Sequence, residues 1–482
     1  MKVDSMNEIA ENKPREECAV FGVSLKEMEE AAGITYNGLL SLQHRGQEAA
    51  GIAVLCGNDM ICQKGMGLVN EVFTGDTLDK LPRSTMATGH TRYSTTGSNT
   101  LENGQPFITE FLTGRIATSH NGNIINARQI RERLLGYGLN FKATSDSEVI
   151  SSLIAYYTVK TGSIEKGAVK AASLLRGAFS LVVLASGGKL IAIRDPSGFR
   201  PLCIGKSSMG VAVASESCAL ESCSFDFIRD VYPGEIVIME KGEITFEEIV
   251  LTDKDPDSGL CIFEYVYFAR PDSCIDSLSV YEARYRMGKI LSKEYPVEAD
   301  AVCGVPDSGL EAAIGYSAAT GIPLVSGFVK NRYIGRSFIY PIQSQRESAV
   351  RLKLNPLRAN VNGKRIVLVD DSIVRGTTSA SIVKSLKGAG AAEVHMRISS
   401  PPFMYTCHYG TDIDNEENLI ANQMGIERIT KAIGADSLGY ISIKGLKNAC
   451  RNSSMKFCTK CFTGDAARAE SGKFDLEKAQ LS

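Results

Sequence analysis

The rhythm of apolar and polar positions changes once along the chain, and the change divides it in two. Residues 1–17 are polar and acidic and offer no apolar face, so they read as a leader. From Cys18 the pattern is strand-rich. Cys18–Val23 reads as a strand opened by a thiol, and Ile116–Ser119 as another, with Asn121-Gly122 following as a turn. Ser145 and Glu148 have capping-box spacing, and Val149, Ile150, Leu153 and Ile154 form the apolar face of the helix they open. Further strands are expected at Phe179–Ala185, Lys189–Arg194, Gly210–Ser215 and Glu235–Met239. A few helices with many strands predict an αββα sandwich.

The polar stretch 253–259 is the expected linker. Beyond it strands and helices alternate. Ser279 and Glu282 cap a helix running to about Glu294, and the strand Ala299–Val305 ends in Pro306-Asp307-Ser308-Gly309, with a helix after it. Ile322–Val329 is expected to be the next strand. Ile366–Val369 is another, followed by a helix carrying Ile382, Val383 and Leu386, and Glu393–Ile398 completes the set. This is the pattern of a doubly wound parallel sheet.

Composition narrows the class. The 482 residues suffice for about two to four domains. A hydrophobic share of 44% and a charged share of 22% describe an ordinary globular protein, and a net charge of −2 gives no global reason to expect nucleic acid. No apolar run approaches the ~20 residues that span a bilayer, and the N-terminus has no apolar signal core. Thirteen cysteines in so long a chain argue for thiols or metal ligands in a reducing cytoplasm.

The most informative stretch is Arg365–Ser379. A buried strand ends in Asp370-Asp371, and a hydroxyl-rich loop with one glycine, Ser372–Ser379, leads into a helix. In open α/β sheets ligands bind at such strand ends, and a loop of this kind with a helix N-terminus favours phosphate. Paired acids beside it suit Mg²⁺ or sugar hydroxyls. The stretch resembles the signature of type I phosphoribosyltransferases. The resemblance implies that Asp370, Asp371, Ser372, Arg375, Gly376, Thr377, Thr378 and Ser379 bind phosphoribosyl pyrophosphate. Ser308, Asp370 and Asp371 would then be the Mg²⁺-associated positions.

In the first half, Cys18 occurs with the segments His44–Glu48, Gly89–Ser94, Ser119–Asn123 and Thr144–Glu148. The set resembles class II glutamine amidotransferases, in which a cysteine becomes the first residue of the mature chain. Its α-amino group, with a reference pKa of ~8, then serves as general base for a thiol that at ~8.5 is mostly protonated at pH 7. The resemblance implies an oxyanion hole of Asn121 and Gly122, with Arg92 on the glutamine α-carboxylate and Asp146 on its α-ammonium. It leaves His44, His90 and His120 as scaffold. Asp146 also reads as an N-cap. The family usually has glycine after the nucleophile; this chain has Ala19.

Joined, the halves resemble the amidophosphoribosyltransferase family, from Cys18 to Cys461. Tyr265–Ser273 and Lys330–Arg336 resemble it as well, and Lys330 and Arg332 would meet pyrophosphate charge. The domains implied are a propeptide at 1–17, a class II glutamine amidotransferase domain at 18–255, and a type I phosphoribosyltransferase domain at 256–482. In that family L-glutamine supplies ammonia, channelled to displace pyrophosphate and give 5-phosphoribosylamine, opening de novo purine synthesis. Feedback inhibition by purine nucleotides and a homo-oligomer, tetramer or dimer, are implied too. Spacing around Cys458-Thr-Lys-Cys461 does not separate four-thiolate zinc from iron–sulfur. One subgroup, however, carries a 4Fe–4S cluster on cysteines in the contexts of Cys261, Cys407, Cys458 and Cys461. Two alternatives stand beside this reading: an amidotransferase acting on another sugar phosphate, and a non-enzymatic sensor of phosphoribosyl pyrophosphate.

Overall fold

The computed structural model describes residues 18–93, 100–253, 259–331, 354–411, 413, 415–451 and 456–464. The leader 1–17, Arg332 with the rest of the basic loop, most of the linker stretch and the tail from Asp465 lie outside the described residues.

Two antiparallel sheets face each other in the first half. One has seven strands in the order 226–230, 203–206, 210–214, 19–29, 84–92, 49–56, 59–66; the other has six, in the order 243–249, 235–240, 189–194, 177–185, 114–124, 107–111. Alternation along each strand explains the layers. Val20, Ala53, Val182, Leu184, Leu190, Ala192, Val211 and Val213 fill the space between the sheets. Their neighbours Phe21, Val23, Ala212 and Ala214 pack outward under the helix Ala31–Ser41. Leu181, Val183, Ile191 and Ile193 pack outward under Asp146–Thr161 and Ile164–Leu174. The result is the expected αββα sandwich.

The second half holds a parallel sheet in the order Ala301–Gly304, Arg365–Asp370, Glu393–Ile398, Ser437–Tyr440. Its strands are apolar on both faces. Val302, Val367 and Val369 pack with the helices Val280–Glu294 and Leu310–Thr320. Ala301, Cys303, Ile366 and Leu368 pack with Thr377–Gly388 and Ile426–Ile433. Helices on both faces make it doubly wound.

Three sequence expectations change. Asn121-Gly122 is not a turn: the strand runs on from Gly114 to Ile124. Gly122 sustains it at φ +136°, where a Cβ would stand 2.1 Å from the Ala178 carbonyl oxygen. Ser145 is the N-cap, its Oγ accepting from Ser147 N at 3.2 Å, so Asp146 is the first helical residue and not the cap. Glu148 does not close a capping box but accepts from Lys142 N and Ala143 N at 2.9 and 2.8 Å. Finally, Ile322–Val329 is no continuous strand. Leu324 makes a single parallel bridge to Val302, while Phe328–Lys330 pairs antiparallel with Leu354–Pro356. Pro323 has no N–H to continue the ladder.

Candidate active sites

Cys18 sits at the mouth of the sandwich, immediately before the strand Ala19–Glu29, which pairs with Ser84–Arg92 in the register Ala19 with Thr91. That pairing brings Arg92 and Tyr93 to the thiol. Cys18 Sγ donates to the Tyr93 carbonyl at 3.4 Å. Burial pushes the thiol up to about 11; the Tyr93 hydrogen bond and the Arg92 charge pull it down, while Asp146 and Glu48 push with burial. A thiol held there is almost wholly protonated at neutral pH and needs a base. Arg92 is buried, its Nη1 lying 4.0 Å from Glu48 Oε2.

The other sheet supplies the Asn121 segment. The pairing of 114–124 with 107–111 ends at Thr118 opposite Phe107, which leaves the edge of residues 119–124 without a strand neighbour on that side among the described residues. Gln105 Oε1 takes the His120 N–H at 2.7 Å and Asp146 Oδ2 takes the Ile124 N–H at 3.0 Å. By strand alternation the Gly122 N–H points to this same edge, between two donors already engaged. Asn121 is buried, and its side-chain amide has no hydrogen-bond partner on either atom among the described residues. A buried amide left open beside an aligned N–H has the chemistry of an anion-binding pair. The histidines tie the scaffold together. His90 Nε2 meets the His120 carbonyl at 3.0 Å, joining the two sheets, and His44 Nε2 meets Glu216 Oε1 at 2.7 Å.

In the second half, Asp370 and Asp371 end the strand Arg365–Asp370 and are both buried. Ser308 Oγ donates to Asp371 Oδ2, and Ser372 Oγ to Asp371 Oδ1. The loop that carries Ser308 lies directly on the acid strand: Val305 N donates to the Val369 carbonyl at 2.8 Å, and a Cβ on Gly309 would stand 2.4 Å from that same oxygen. Gly376, at φ +81°, turns the chain into the helix Thr377–Gly388. A Cβ there would stand 2.6 Å from Ile420 Cδ1. Of the loop hydroxyls, Ser379 is buried, Thr378 half-buried and Thr377 exposed; Arg375 is half-buried. Lys330 Nζ pairs with Asp307.

Cys261, Cys407, Cys458 and Cys461 line one cavity, together with Phe263, Phe403 and Tyr409. Cys261 and Cys458 face each other in a short parallel pairing. Burial pushes Cys458 up to about 12, and Cys461 rises with it, from burial first and then from the other three thiols.

Sequence reasoning missed the charges between the halves. Arg45 is fully buried; its guanidinium binds Glu216 Oε1 at 2.7 Å and Glu264 Oε1 at 2.8 Å, and its Nε reaches the Cys18 carbonyl at 3.4 Å. Arg200 Nη1 lies 3.6 Å from the same Glu264. In the second half, Arg284 donates to the Tyr265, Tyr267 and Ala269 carbonyls and sits 3.6 Å from Glu311. The partners of Arg45 are 171 and 219 residues away, so no local spacing reveals them. Only the segment His44–Glu48 pointed to that place.

Fold and sites define the class: a glutamine amidotransferase sandwich joined to a phosphoribosyltransferase-type sheet. The family described as a glutamine amidotransferase domain matches residues 90–222. The chain is 48% identical over 448 residues to an amidophosphoribosyltransferase of Archaeoglobus fulgidus, covering 92% of this chain and 97% of that one. It is 46% identical to that of Synechocystis sp., covering 94% and 91%. A solved glutamine phosphoribosylpyrophosphate amidotransferase from B. subtilis, complexed with ADP and GMP, superposes with a TM-score of 0.85 at 44% identity, covering 93% of this chain and 97% of that one. The chain belongs to the amidophosphoribosyltransferase family.

Proposed function

We propose that the protein hydrolyses L-glutamine in its first half and uses the ammonia in its second to displace pyrophosphate from phosphoribosyl pyrophosphate. The products are 5-phosphoribosylamine, glutamate and diphosphate, in the first step of purine biosynthesis. The observation that carries the reading is the buried pair Asp370 and Asp371, with Ser308 hydrogen-bonded to it, on the same chain as Cys18 and the open Asn121 amide. In the first half, Cys18 attacks the glutamine amide carbon, and its own α-amino group takes the thiol proton. Asn121 and Gly122 receive the oxyanion, Arg92 the α-carboxylate and Asp146 the α-ammonium. That amine exists only once residues 1–17 are removed; until then the nitrogen of Cys18 is a peptide amide with no basic lone pair. Removal of the leader between Glu17 and Cys18 is therefore part of the proposal.

In the second half, the loop from Ser372 to Ser379 holds the ribose phosphate, and Lys330 and Arg332 meet the pyrophosphate. Ser308, Asp370 and Asp371 are hard oxygen donors, with Ser308 bonded to the Asp371 carboxylate and Asp370 adjacent, a set that fits Mg²⁺. Bound there, the ion would balance charge on the departing pyrophosphate. Ammonia passes between the sites inside the protein, shielded from water. The four thiols fit a 4Fe–4S cluster. They share one cavity, yet no three His, Cys, Asp or Glu side chains among the described residues are grouped to hold a single metal ion. Four thiolates around one cavity repel one another unless a cationic core compensates them, and the cluster's role would be structural. Purine nucleotides as inhibitors, a homo-oligomer and a cytoplasmic location complete the proposal; no helix among the described residues is long and apolar enough to cross a membrane. The test is pyrophosphate release driven by glutamine and, separately, by ammonia. Cys18→Ser should lose the first and keep the second, and loss of both would overturn the division of labour.

A further inference from the structure

A segment of the other half packs against residues 122–123 of the strand Gly114–Ile124. Asn123 Nδ2 donates to the His408 carbonyl at 2.9 Å. Arg200 Nη2 donates to the Tyr409 carbonyl at 2.7 Å and lies 3.4 Å from Thr411 Oγ1. Arg200 is itself rooted in the sandwich, its carbonyl accepting from Arg194 Nε at 2.7 Å and Ser180 Oγ at 3.3 Å. The Tyr409 ring stacks on Phe199 with centroids 4.3 Å apart and planes 15° from parallel. Phe199 belongs to a small apolar cluster with Ala178 and Cys458. Ala178 is the residue whose carbonyl oxygen a Cβ on Gly122 would meet.

Gly410 makes the closest approach. At φ +105°, a Cβ there would stand 2.9 Å from Arg200 Nη2, 3.2 Å from the Gly122 carbonyl carbon and 3.4 Å from Asn123 N. The Gly122–Asn123 peptide is thus in close contact with Gly410 as well as with its ladder neighbour Ala178. It is one peptide removed from the Gly122 N–H and two residues from the Asn121 amide.

We infer that the segment Cys407–Thr411 is a positioning element for the oxyanion hole of the glutamine site. This rests on the assignment of Asn121 and Gly122 made above. Donor pairs of this kind act only when they stand where the charge develops, and a displacement of about 1 Å forfeits most of their effect. The sandwich pairs residues 119–124 with 177–185 on one side only; on the other the strand pairing ends at Thr118, and among the described residues the Gln105 and Asp146 side chains hold that edge in place of a strand. The second half completes it, through a loop whose first residue is one of the four cavity thiols. Asn123, Gly410 and the Tyr409 carbonyl touch no substrate; they act through the backbone of 121–123.

The test uses Asn123→Ala and Gly410→Ala in the full-length enzyme, with Asn121→Ala as reference. The measurements are kcat and KM for glutamine, ammonia-dependent synthesis, and affinity for the aldehyde analogue of glutamine. Cys18 Sγ adds to the aldehyde carbon, and the resulting tetrahedral oxygen occupies the oxyanion hole. Both variants should lose roughly ten- to hundredfold in glutamine kcat and in aldehyde affinity, with KM changed less than about threefold and ammonia-dependent synthesis intact. Asn123→Ala introduces no backbone strain, so it decides the matter if Gly410→Ala fails to fold. Unchanged kcat and aldehyde affinity in Asn123→Ala overturns the inference while leaving the oxyanion assignment standing, provided Asn121→Ala is impaired. Full activity of Asn121→Ala overturns the assignment itself. A parallel loss of ammonia-dependent synthesis reduces the segment to general support, and the inference fails.

Discussion

Arg45→Met is the sharpest test of how the halves are joined. The substitution keeps the apolar stem and removes a guanidinium that stands, fully buried, between Glu216 and Glu264. Breaking a buried ion pair by removing one partner typically costs about 3–5 kcal/mol, because a charge is left without compensation. Here some compensation remains. Glu216 keeps His44 Nε2 at 2.7 Å, Ser273 Oγ at 2.7 Å and Arg270 N at 2.9 Å, and Glu264 keeps Arg200 Nη1 at 3.6 Å. The expected loss is therefore at the low end, about 3 kcal/mol. Glu264→Gln alone should also destabilise. The double variant should recover at least ~1 kcal/mol relative to the sum of the two, since position 264 then carries no charge for Arg45 to compensate. Denaturant titration followed by near-ultraviolet circular dichroism and by ammonia-dependent synthesis gives the numbers, and coincident curves license them. The pH dependence carries a sign. Burial acts to raise the Glu216 carboxyl, but His44 and Arg45 outweigh it and hold it well below the usual carboxylate range. Its stabilisation is full above the unfolded value of ~4.3 and is lost progressively as pH falls from there through the depressed folded value, so the gap between parent and variant should narrow on acidification. Additivity within about 0.5 kcal/mol, or a gap that does not narrow at all as pH falls below ~4.3, would refute the network as described.

Three further outcomes are expected. Asp371→Asn abolishes synthesis with ammonia as with glutamine but leaves measurable glutaminase activity; full ammonia-dependent synthesis would refute the assignment of the acid pair. In the unprocessed chain, alkylation of Cys18 by iodoacetamide accelerates roughly tenfold per pH unit from pH 7 to 10, because burial keeps the thiolate scarce. A rate that levels off below pH 8.5, read by mass spectrometry of the Cys18 peptide, contradicts this. Anaerobically purified protein contains about four irons per chain, and Cys461→Ser loses them together with thermal stability; zinc without iron would rule the cluster out.

Local structure was legible in the sequence wherever a single segment carries it. The strand, acid pair and hydroxyl loop of Arg365–Ser379 lie within fifteen consecutive positions, and their order alone implies a strand end facing a phosphate. The two apolar rhythms, alternating before residue 253 and β/α beyond it, likewise specified a sandwich and a doubly wound sheet, because side-chain periodicity follows directly from backbone geometry. What depends on neighbours distant in sequence stayed hidden. Asn121-Gly122 looked like a turn, since Asn-Gly favours one locally; pairing with Gly177–Ala185 and the pressure of Ala178 keep it in a strand. Ile322–Val329 looked like a strand by apolar content, but it finds a parallel neighbour only at Leu324. The buried charges Arg45, Glu216 and Glu264 carry no sequence signal, because a buried ion becomes tolerable only when folding brings its counterions to it. The same holds for the loop from Cys407 to Thr411. The sequence marks its cysteine as a candidate ligand, and only the tertiary structure lays Gly410 against the Gly122–Asn123 peptide.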